Sequence, residues 1–220
     1  MSVMSSGDSV LQTVSVVEAL VAELRNRVLD GGYQAGSALV EFDVAERYSV
    51  SRPTARAALT ALVYEGLLRR EANKTARVVR LTPADMDDLF RIRIPLEEQI
   101  LRHLVIRREV PITAMAAAVD QLRQVAVDAP YSEFVLPDLR FHAVMVDAFG
   151  SPRLSKVYES LRGEIHLGMV QTSMALGHAR ILEEHAGVLE FAASGDAEAA
   201  VQLMHDHLCG AQQALRRRLA

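Results

Sequence analysis

The segment from Asp43 to Arg80 constrains the fold of this chain more than any other stretch, because short elements follow one another there in a definite order. A short helix is followed by the turn Ser49–Ser51, and Ser51 is an N-cap candidate for a second helix. Pro53 falls in the first turn of that helix, where its missing N–H costs nothing, and Gly66 ends the helix. Its buried stripe is expected at helical spacing. The stripe consists of Ala55, Ala58, Leu59 and Leu62.

A basic hairpin follows the second helix. Leu68–Glu71 and Ala76–Arg80 can pair across a turn near Asn73–Lys74, since Asn tolerates a left-handed backbone. Between Val44 and Arg80 there are eight Lys or Arg and three Asp or Glu, whereas the whole chain carries a net charge of −4. Two helices, a turn and this hairpin predict a winged helix-turn-helix that binds DNA. The alternative is a solvated basic face on a small helical domain.

Two arginines lie on the flank of the second helix. Arg52 and Arg56 are four residues apart, so both point away from the buried stripe in the same direction. The arginine fork can bind guanine O6 and N7, or a phosphate. The predicted DNA-contacting residues lie on this helix and at the tip of the hairpin. They are Ser51, Arg52, Thr54, Arg56, Asn73 and Lys74.

The segment VAERYSVSRPTARAALTALVYEGLL resembles the DNA-binding domain of GntR-type transcription regulators. Those usually show Val-Ser-Arg-Thr-Pro-Val-Arg-Glu-Ala-Leu and then Glu-Gly-Leu. This sequence departs from the pattern at Pro53-Thr54 and Ala57, and its wing lacks the usual glycine. The resemblance implies that Arg52 and Arg56 read the major groove and that the wing tip enters or skirts the minor groove. The retained positions are Ala45, Val50, Ser51, Arg52, Arg56, Leu59, Glu65, Gly66 and Leu67.

Composition limits the class of protein. Half of the 220 residues are hydrophobic and 5% are aromatic, which is typical of a helix-rich globular chain. The single Cys209 excludes an intrachain disulfide framework and suits a reducing cytoplasm. No apolar run approaches the roughly 20 residues that span a membrane, and the N-terminus has no signal-peptide pattern. We therefore expect a cytoplasmic protein.

Breaks along the chain divide it into a flexible tail over residues 1–9, a winged helix-turn-helix domain over 10–81 and an all-α domain over 82–220. The first domain begins with a helix over 10–30. Thr82 is placed to cap the first helix of the second domain. The fold class is thus mainly α, a winged helix-turn-helix followed by a helical bundle. The helices predicted in the second domain are 84–108, 112–128, 131–149, 152–176, 178–194 and 196–218.

Three histidines and one carboxylate of the second domain lie on apolar helix faces. Asp138 and His142 are four residues apart on one helix, and His185 and His207 lie on the apolar stripes of two others. One oxygen and three imidazole nitrogens suit Zn²⁺ or another first-row divalent ion. The alternative is that each histidine is an ordinary core residue. His178 is a substitute candidate because it shares a face with His185.

The segments DLRFH, EEHAGVLEFAASGDAEAAV and MHDHL resemble the ligand-binding domain of the FadR branch of GntR regulators. Six helices rather than seven suit a VanR-like subgroup of that branch. The resemblance covers about residues 10 to 215, with both halves in the expected order. It implies one divalent metal ion per chain, with Zn²⁺ the first expectation and Ni²⁺, Mn²⁺ or Fe²⁺ the alternatives. The implied ligands are Asp138, His142, His185 and His207.

Arg93 lies on the apolar stripe of the first helix of this domain, which is costly for a cation without an anionic partner. The segment RIPLE resembles the family's Arg-x-x-Leu-Glu, whose arginine lines the effector pocket. The alternative is a structural ion pair of Arg93 with Asp138 or Glu97. Arg140 and Arg162 are further candidates for binding an anionic effector.

The interpretation is a homodimeric transcription regulator, in this family most often a repressor, and not an enzyme. Its first domain would bind double-stranded operator DNA, and its second a small organic-acid or sugar-acid effector at the metal. One rival is a metal-dependent enzyme with an accessory nucleic-acid domain, although no general base stands beyond the four ligand candidates. Another is a helical bundle that only dimerises the DNA reader.

Overall fold

The first third of the chain begins with a capped helix. The computed structural model describes residues 15–71, 74–126, 129, 132–172 and 177–220. The tail predicted over 1–9 and Asn73 lie outside these residues. Helix α1 (Val16–Leu29) starts at Ser15, whose hydroxyl accepts from the Glu18 N–H while the Glu18 carboxylate accepts from the Ser15 N–H. Because Ser15 has an extended backbone, α1 does not include it, and the predicted start at residue 10 is not described.

The helix-turn-helix follows. It consists of α2 (Glu41–Arg47) and α3 (Arg52–Tyr64), with Tyr48 to Ser51 between them. The Ser51 hydroxyl accepts from the Thr54 N–H at 3.2 Å, so the predicted N-cap is confirmed. The predicted stripe on α3 is fully buried and packs in the main core.

A small antiparallel sheet completes this half of the chain. Its strands are β1 (Ala38–Leu39), β2 (Leu68–Arg69) and β3 (Ala76–Val78), in the order β1-β3-β2. The β2–β3 hairpin is the predicted wing, with shorter strands than expected. The sequence does not predict β1, because two residues are too few to show an alternating pattern.

The rest of the described chain is all-α, as predicted. Its helices pack around the shared core, with α4 lying mainly against α9. The predicted helix 112–128 ends four residues early, because Val125 takes an extended backbone after α5. None of the described helices combines the length and apolar character needed to cross a bilayer. The helices are α4 (Pro83–Arg107), α5 (Ile112–Gln124), α6 (Ser132–Ala148), α7 (Pro152–Thr172), α8 (His178–Ser194) and α9 (Ala197–Leu219).

Helix α7 joins the two halves of the chain. The side-chain amide of Gln171 donates to the Val79 carbonyl at 2.7 Å and accepts from the Leu81 N–H at 3.1 Å. Eight residues earlier, a side chain at Gly163 would come within 3.3 Å of the Glu65 carbonyl. The small residue therefore lets α7 approach the end of α3 closely. Helix α7 thus contacts the first half through both the turn after α3 and the segment 79–82 before α4, which we call the linker.

Candidate nucleic-acid interface and metal centre

The outer face of α3 carries both predicted DNA-reading arginines. Arg52 and Arg56 are exposed there. They border a groove of about 640 Å³, whose other walls include Glu41 of α2 and the small apolar residues Pro53 and Ala57. The two guanidinium groups and one carboxylate therefore face the same space.

The remaining predicted contact residues lie at the two ends of this surface. Ser51 and Thr54 have their hydroxyl oxygens 2.8 Å apart at the start of α3. Lys74 is exposed on the wing and pairs with Glu71. Asn73 lies outside the described residues, so its predicted contact stays a prediction.

An acidic residue that the sequence interpretation overlooked lies between the recognition helix and the wing. Both carboxylate oxygens of Glu41 accept from the Arg56 Nε–H, at 3.0 and 3.1 Å. Arg70, directly after β2, has its Nη1 3.4 Å from the same carboxylate. Glu41 therefore bridges Arg56, a predicted DNA-reading arginine, to the base of the wing.

The four predicted metal ligands come together in the second half of the chain. Asp138 and His142 project from α6, His185 from α8 and His207 from α9, and all four side chains are buried. One ligand atom of each lies within 4.8 Å of the others. Nε2 of His185 is 3.2 Å from Nε2 of His142 and 3.4 Å from Oδ1 of Asp138. Atoms bound at about 2.0–2.2 Å to one tetrahedral ion lie roughly 3–3.5 Å apart, so the spacing fits.

Each imidazole has its Nδ1 occupied by an acceptor on the outside of the cluster. A backbone carbonyl or a carboxylate can only accept, so Nδ1 donates a proton and, in a neutral ring, Nε2 keeps its lone pair. The tautomer of each ring thus follows from its outer partner. The pairs are His142 with Glu97 Oε2 at 2.5 Å, His185 with the Ile181 carbonyl at 2.7 Å and His207 with Glu184 Oε2 at 2.8 Å.

This arrangement leaves unprotonated nitrogens facing one another. Burial lowers the pKa of His142, despite the opposing effect of Glu97, and burial lowers the pKa of His185 well below its usual range. Both rings are therefore neutral near pH 7. Two neutral Nε2 lone pairs at 3.2 Å repel each other unless an electrophile lies between them. The donor set thus fits a divalent cation, which would bind the three Nε2 atoms and the Asp138 carboxylate.

The carboxylate of Glu97, which contacts His142, also accepts hydrogen bonds from two other buried side chains. Its Oε1 accepts from Arg93 Nε at 2.6 Å and from the Tyr158 hydroxyl at 2.7 Å. Burial alone would raise the pKa of Glu97, but the Arg93 charge and His142 hold it well below the usual range. The ion pair named as the alternative for Arg93 is thus present. Even so, the buried Nη2 of Arg93 has no hydrogen-bond partner among the described residues.

The other arginine candidates and His178 lie elsewhere. Arg140 is exposed on α6, whereas the ligand cluster is buried. Arg162 is partly exposed and pairs with Glu159 at 3.5 Å. Nε2 of His178 lies 2.9 Å from the Leu122 carbonyl, so His178 is not part of the cluster and is not needed as a substitute.

The two halves match two family models in the same order. Residues 16–78 match the gntR family of bacterial regulatory proteins, and residues 88–209, more than half of the chain, match the FCD domain. The chain belongs to the GntR family of transcriptional regulators, with an FCD domain after its winged helix. The relatives and solved structures reported below are likewise transcriptional regulators rather than enzymes.

Relatives agree with this assignment, and solved structures share the fold. The chain is 28% identical over 202 residues to the uncharacterized HTH-type regulator BphR of Paraburkholderia xenovorans, covering 88% of this chain and 82% of that protein. It is 25% identical over 195 residues to the gluconate operon transcriptional repressor of Bacillus subtilis, covering 84% of this chain and 79% of that protein. A transcriptional regulator GntR from Rhodococcus sp. RHA1 has the same fold, with a TM-score of 0.78, 23% identity and coverage of 90% and 96%. E. coli McbR/YncC also has this fold, with a TM-score of 0.78 and 18% identity, covering 94% of this chain and 100% of that chain.

Proposed function

We propose that this regulator is a homodimeric repressor that binds operator DNA through α3 and the wing and releases it when a small carboxylate binds beside a divalent metal. The observation that carries the effector site is the convergence of three imidazole Nε2 atoms and one carboxylate in a buried cluster. An apolar or merely structural core would not concentrate unsatisfied lone pairs in this way. The finer assignment to the FadR branch and a VanR-like subgroup stays a prediction.

The DNA-binding surface is proposed to consist of the exposed face of α3 and the wing. Arg52 and Arg56 are the base-reading candidates, because they are exposed on α3 and have the fork geometry that guanine requires. Lys74 has a position suited to a phosphate contact. Ser51 and Thr54 stand at the N-terminus of α3, where hydroxyls and free N–H groups suit a phosphate.

The metal is proposed to be held by Asp138, His142, His185 and His207. Zn²⁺ is the first choice for one oxygen and three imidazole nitrogens, and Ni²⁺, Mn²⁺ or Fe²⁺ are the alternatives. When bound, the ion supplies a fixed positive charge that attracts a carboxylate. The protein contributes the ring orientations through the outer Nδ1 partners, so the site is preorganised.

Arg93 is the proposed second anchor of the effector. Its Nε is bound to Glu97, while its buried Nη2 lacks a partner among the described residues. A buried unpaired donor is costly, and an anionic ligand would satisfy it. Two relatives are named as repressors of a gluconate operon, and gluconate is a sugar acid, which agrees with the proposed chemical class. Arg140 is exposed and Arg162 already pairs with Glu159, so both remain weaker candidates than Arg93.

A homodimer is proposed because one winged helix buries too little surface for specific affinity, and paired half-sites are the usual solution. One face of α4 supports this. It carries exposed side chains at intervals of three and four residues over more than three turns, two of them isoleucines. A second copy packed on that face would bury them. The residues are Ile92, Pro95, Gln99, His103 and Ile106.

Two routes join the effector site to the DNA-binding half. Helix α4 carries Arg93 and Glu97 and begins directly after the linker, where Thr82 caps it. Helix α7 carries Tyr158, which donates to Glu97, and Gln171, which binds the linker backbone. A ligand that shifts either helix would alter the spacing of the two recognition helices in a dimer.

The test is operator binding with a panel of small organic and sugar acids, using metal-loaded and chelated protein. The operator is first selected from random duplexes by the wild-type protein. Arg93→Lys keeps a cation beside Glu97 but removes the unpaired Nη2 nitrogen. The variant should therefore retain operator affinity and lose the change in that affinity on adding the acid. Arg93→Ala is the harsher variant. A full response to the effective acid in Arg93→Lys would show that Arg93 is only a structural ion-pair partner.

A response that survives complete chelation would refute the metal's part in the effector site. Light scattering at micromolar concentration tests the dimer on the same preparations. A monomeric mass with and without operator DNA would contradict it. Paired Ile92→Glu and Ile106→Glu substitutions should separate the copies, while Leu136→Glu, at an exposed apolar residue on α6, should not.

A further inference from the structure

Glu41 holds one DNA-reading arginine by a single nitrogen. Both of its carboxylate oxygens lie on Nε of Arg56, at 3.0 and 3.1 Å. The two terminal nitrogens of a guanidinium are the ones that engage guanine O6 and N7 end-on. The carboxylate therefore fixes the stem of the arginine and leaves its base-reading end available.

The contact contributes little to the stability of the fold. The side chain of Arg56 is 69% exposed and that of Glu41 is 21% exposed. Ion pairs so open to solvent contribute about 0–1 kcal/mol, because water screens them and ordering the side chains costs entropy. A carboxylate on the DNA-facing side of a DNA-binding protein also repels phosphate. Glu41 also lies in the first turn of α2, where a negative charge favours the helix dipole by about 0.3–1 kcal/mol, so its total contribution to the fold stays small.

Arg70, at the base of the wing, contacts the same carboxylate of Glu41. Its Nη1 lies 3.4 Å from Oε1 of Glu41, and its buried Nε has no partner among the described residues. Arg70 follows β2 at the base of the wing. One carboxylate thus sets the position of a recognition-helix arginine relative to the wing, the two parts that must contact DNA together.

A free arginine would bind any phosphate in many rotamers. Holding Nε lowers the entropy lost when the terminal nitrogens dock on a base edge, because the side chain is already ordered. It also penalises phosphate contacts, which would draw the guanidinium away from Glu41 or bring two anions together. The first effect favours the specific site and the second disfavours all other DNA.

We infer that Glu41 is a positioning residue that sets discrimination between operator and other DNA, acting through Arg56. The inference rests on the proposed DNA-reading role of Arg56. It names no new contact between Glu41 and a base. Its consequence is that removing the charge of Glu41 should strengthen binding to random DNA and weaken preference for the operator.

The experiment compares Glu41→Gln, Arg56→Ala and the double variant with the wild-type full chain. Affinities are measured for a selected operator and for a random duplex of equal length, over a range of salt concentrations. The matched control is Asp43→Asn, which removes one negative charge from an exposed residue on the same helix. Thermal melting of each variant confirms that it is folded.

Glu41→Gln is expected to reduce the ratio of operator to random affinity about three- to tenfold, mostly by tighter random binding. Asp43→Asn should leave the ratio unchanged, because charge alone acts on all DNA. The effect of Glu41→Gln on the ratio should vanish in the Arg56→Ala background. A ratio that changes equally in Glu41→Gln and Asp43→Asn, or persists without Arg56, would overturn the inference.

Different results would refute the proposed DNA-reading role of α3 and the inferred role of Glu41. If Arg56→Ala and Arg52→Ala both bind the operator as wild type does, α3 is not the reading helix. If both lose operator affinity while Glu41→Gln keeps the wild-type ratio, only the role of Glu41 is refuted.

Discussion

Oε2 of Glu97 lies 2.5 Å from Nδ1 of His142, and this contact determines which ring nitrogen faces the ligand cluster. Glu97 is on α4 and His142 on α6, so the tautomer of a candidate metal ligand depends on a neighbouring helix. The same carboxylate also neutralises Arg93 at 2.6 Å. The candidate metal centre and the proposed effector anchor therefore share one buried anion.

Purified protein should hold about one divalent ion per chain, because four preorganised donors converge in a buried site. Elemental analysis of protein expressed with added metals measures this. The His142→Ala/His185→Ala variant should be nearly free of metal. His178→Ala, on the same helix as His185, is the control and should keep the ion. Full occupancy in the double variant would show that other residues bind the metal.

Glu184→Gln should weaken metal binding about 10–100-fold, because it removes the negative acceptor that orients His207. Competition against a chelator of known affinity gives the change. Glu183→Gln, at an exposed neighbour, should have no effect. Equal metal affinity in both variants would mean that the outer partner of His207 is unimportant. Glu97→Gln is a poorer probe, since leaving Arg93 unpaired costs about 3–5 kcal/mol.

Arg52→Ala or Arg56→Ala should cost about 1–3 kcal/mol at the selected operator, because each removes a guanidinium suited to a base edge. Lys74→Ala should weaken binding to all sequences alike and reduce the salt dependence of binding. Titrations with fluorescent duplexes measure both. Lys156→Ala, exposed on α7 in the second half, is the control. Wild-type operator affinity in both arginine variants would exclude α3 as the reading helix.

Gln171→Ala should weaken the effector response, because the side chain makes two hydrogen bonds that join α7 to the linker. Coupling between two sites is typically about 1–3 kcal/mol, so the ratio of operator affinities without and with effector should fall several-fold. Metal content should stay the same. Gln121→Ala, exposed on α5, should respond as wild type does. An unchanged ratio in Gln171→Ala would leave α4 as the only supported route.

His166 should make the chain less stable in acid. Burial, with the Arg162 charge, lowers its pKa to about 4. The usual pKa of histidine is near 6.5. Between about pH 6.5 and 4, His166 is therefore protonated in the unfolded chain but not in the folded chain. The free energy of unfolding therefore has its full value above pH 6.5, as far as His166 is concerned. It falls by an amount on the order of 1–3 kcal/mol as the pH decreases from about 6.5 to 4.

Urea unfolding of chelated wild type and His166→Gln at several pH values checks this prediction. Glutamine does not titrate, so the variant should lose less stability in acid than the wild type. Parallel stability curves for wild type and His166→Gln would contradict the prediction.

The sequence alone determined the local and periodic features. The cap at Ser51, the buried stripe of α3 and the succession of helices after Thr82 follow from propensities that act within a few residues, so they were predictable. The resemblance to GntR regulators identified the family, which the matches confirm. Helical spacing also put Asp138 and His142 on one face, and apolar neighbours indicated that His185 and His207 are buried.

Only the tertiary structure decided which distant groups meet. Glu41 and Arg56 are on different helices, and Glu184 reaches His207 across α8 and α9, so no spacing rule could pair them. Strand β1 depends on its partner in β3, and the ends of α5 and the wing strands depend on packing around them. The positions of Tyr158 and Gln171 are set by the packing of α7 against both halves. The physical reason is that hydrogen bonds and ion pairs between elements depend on distances across the fold, which the order of residues along the chain does not encode locally.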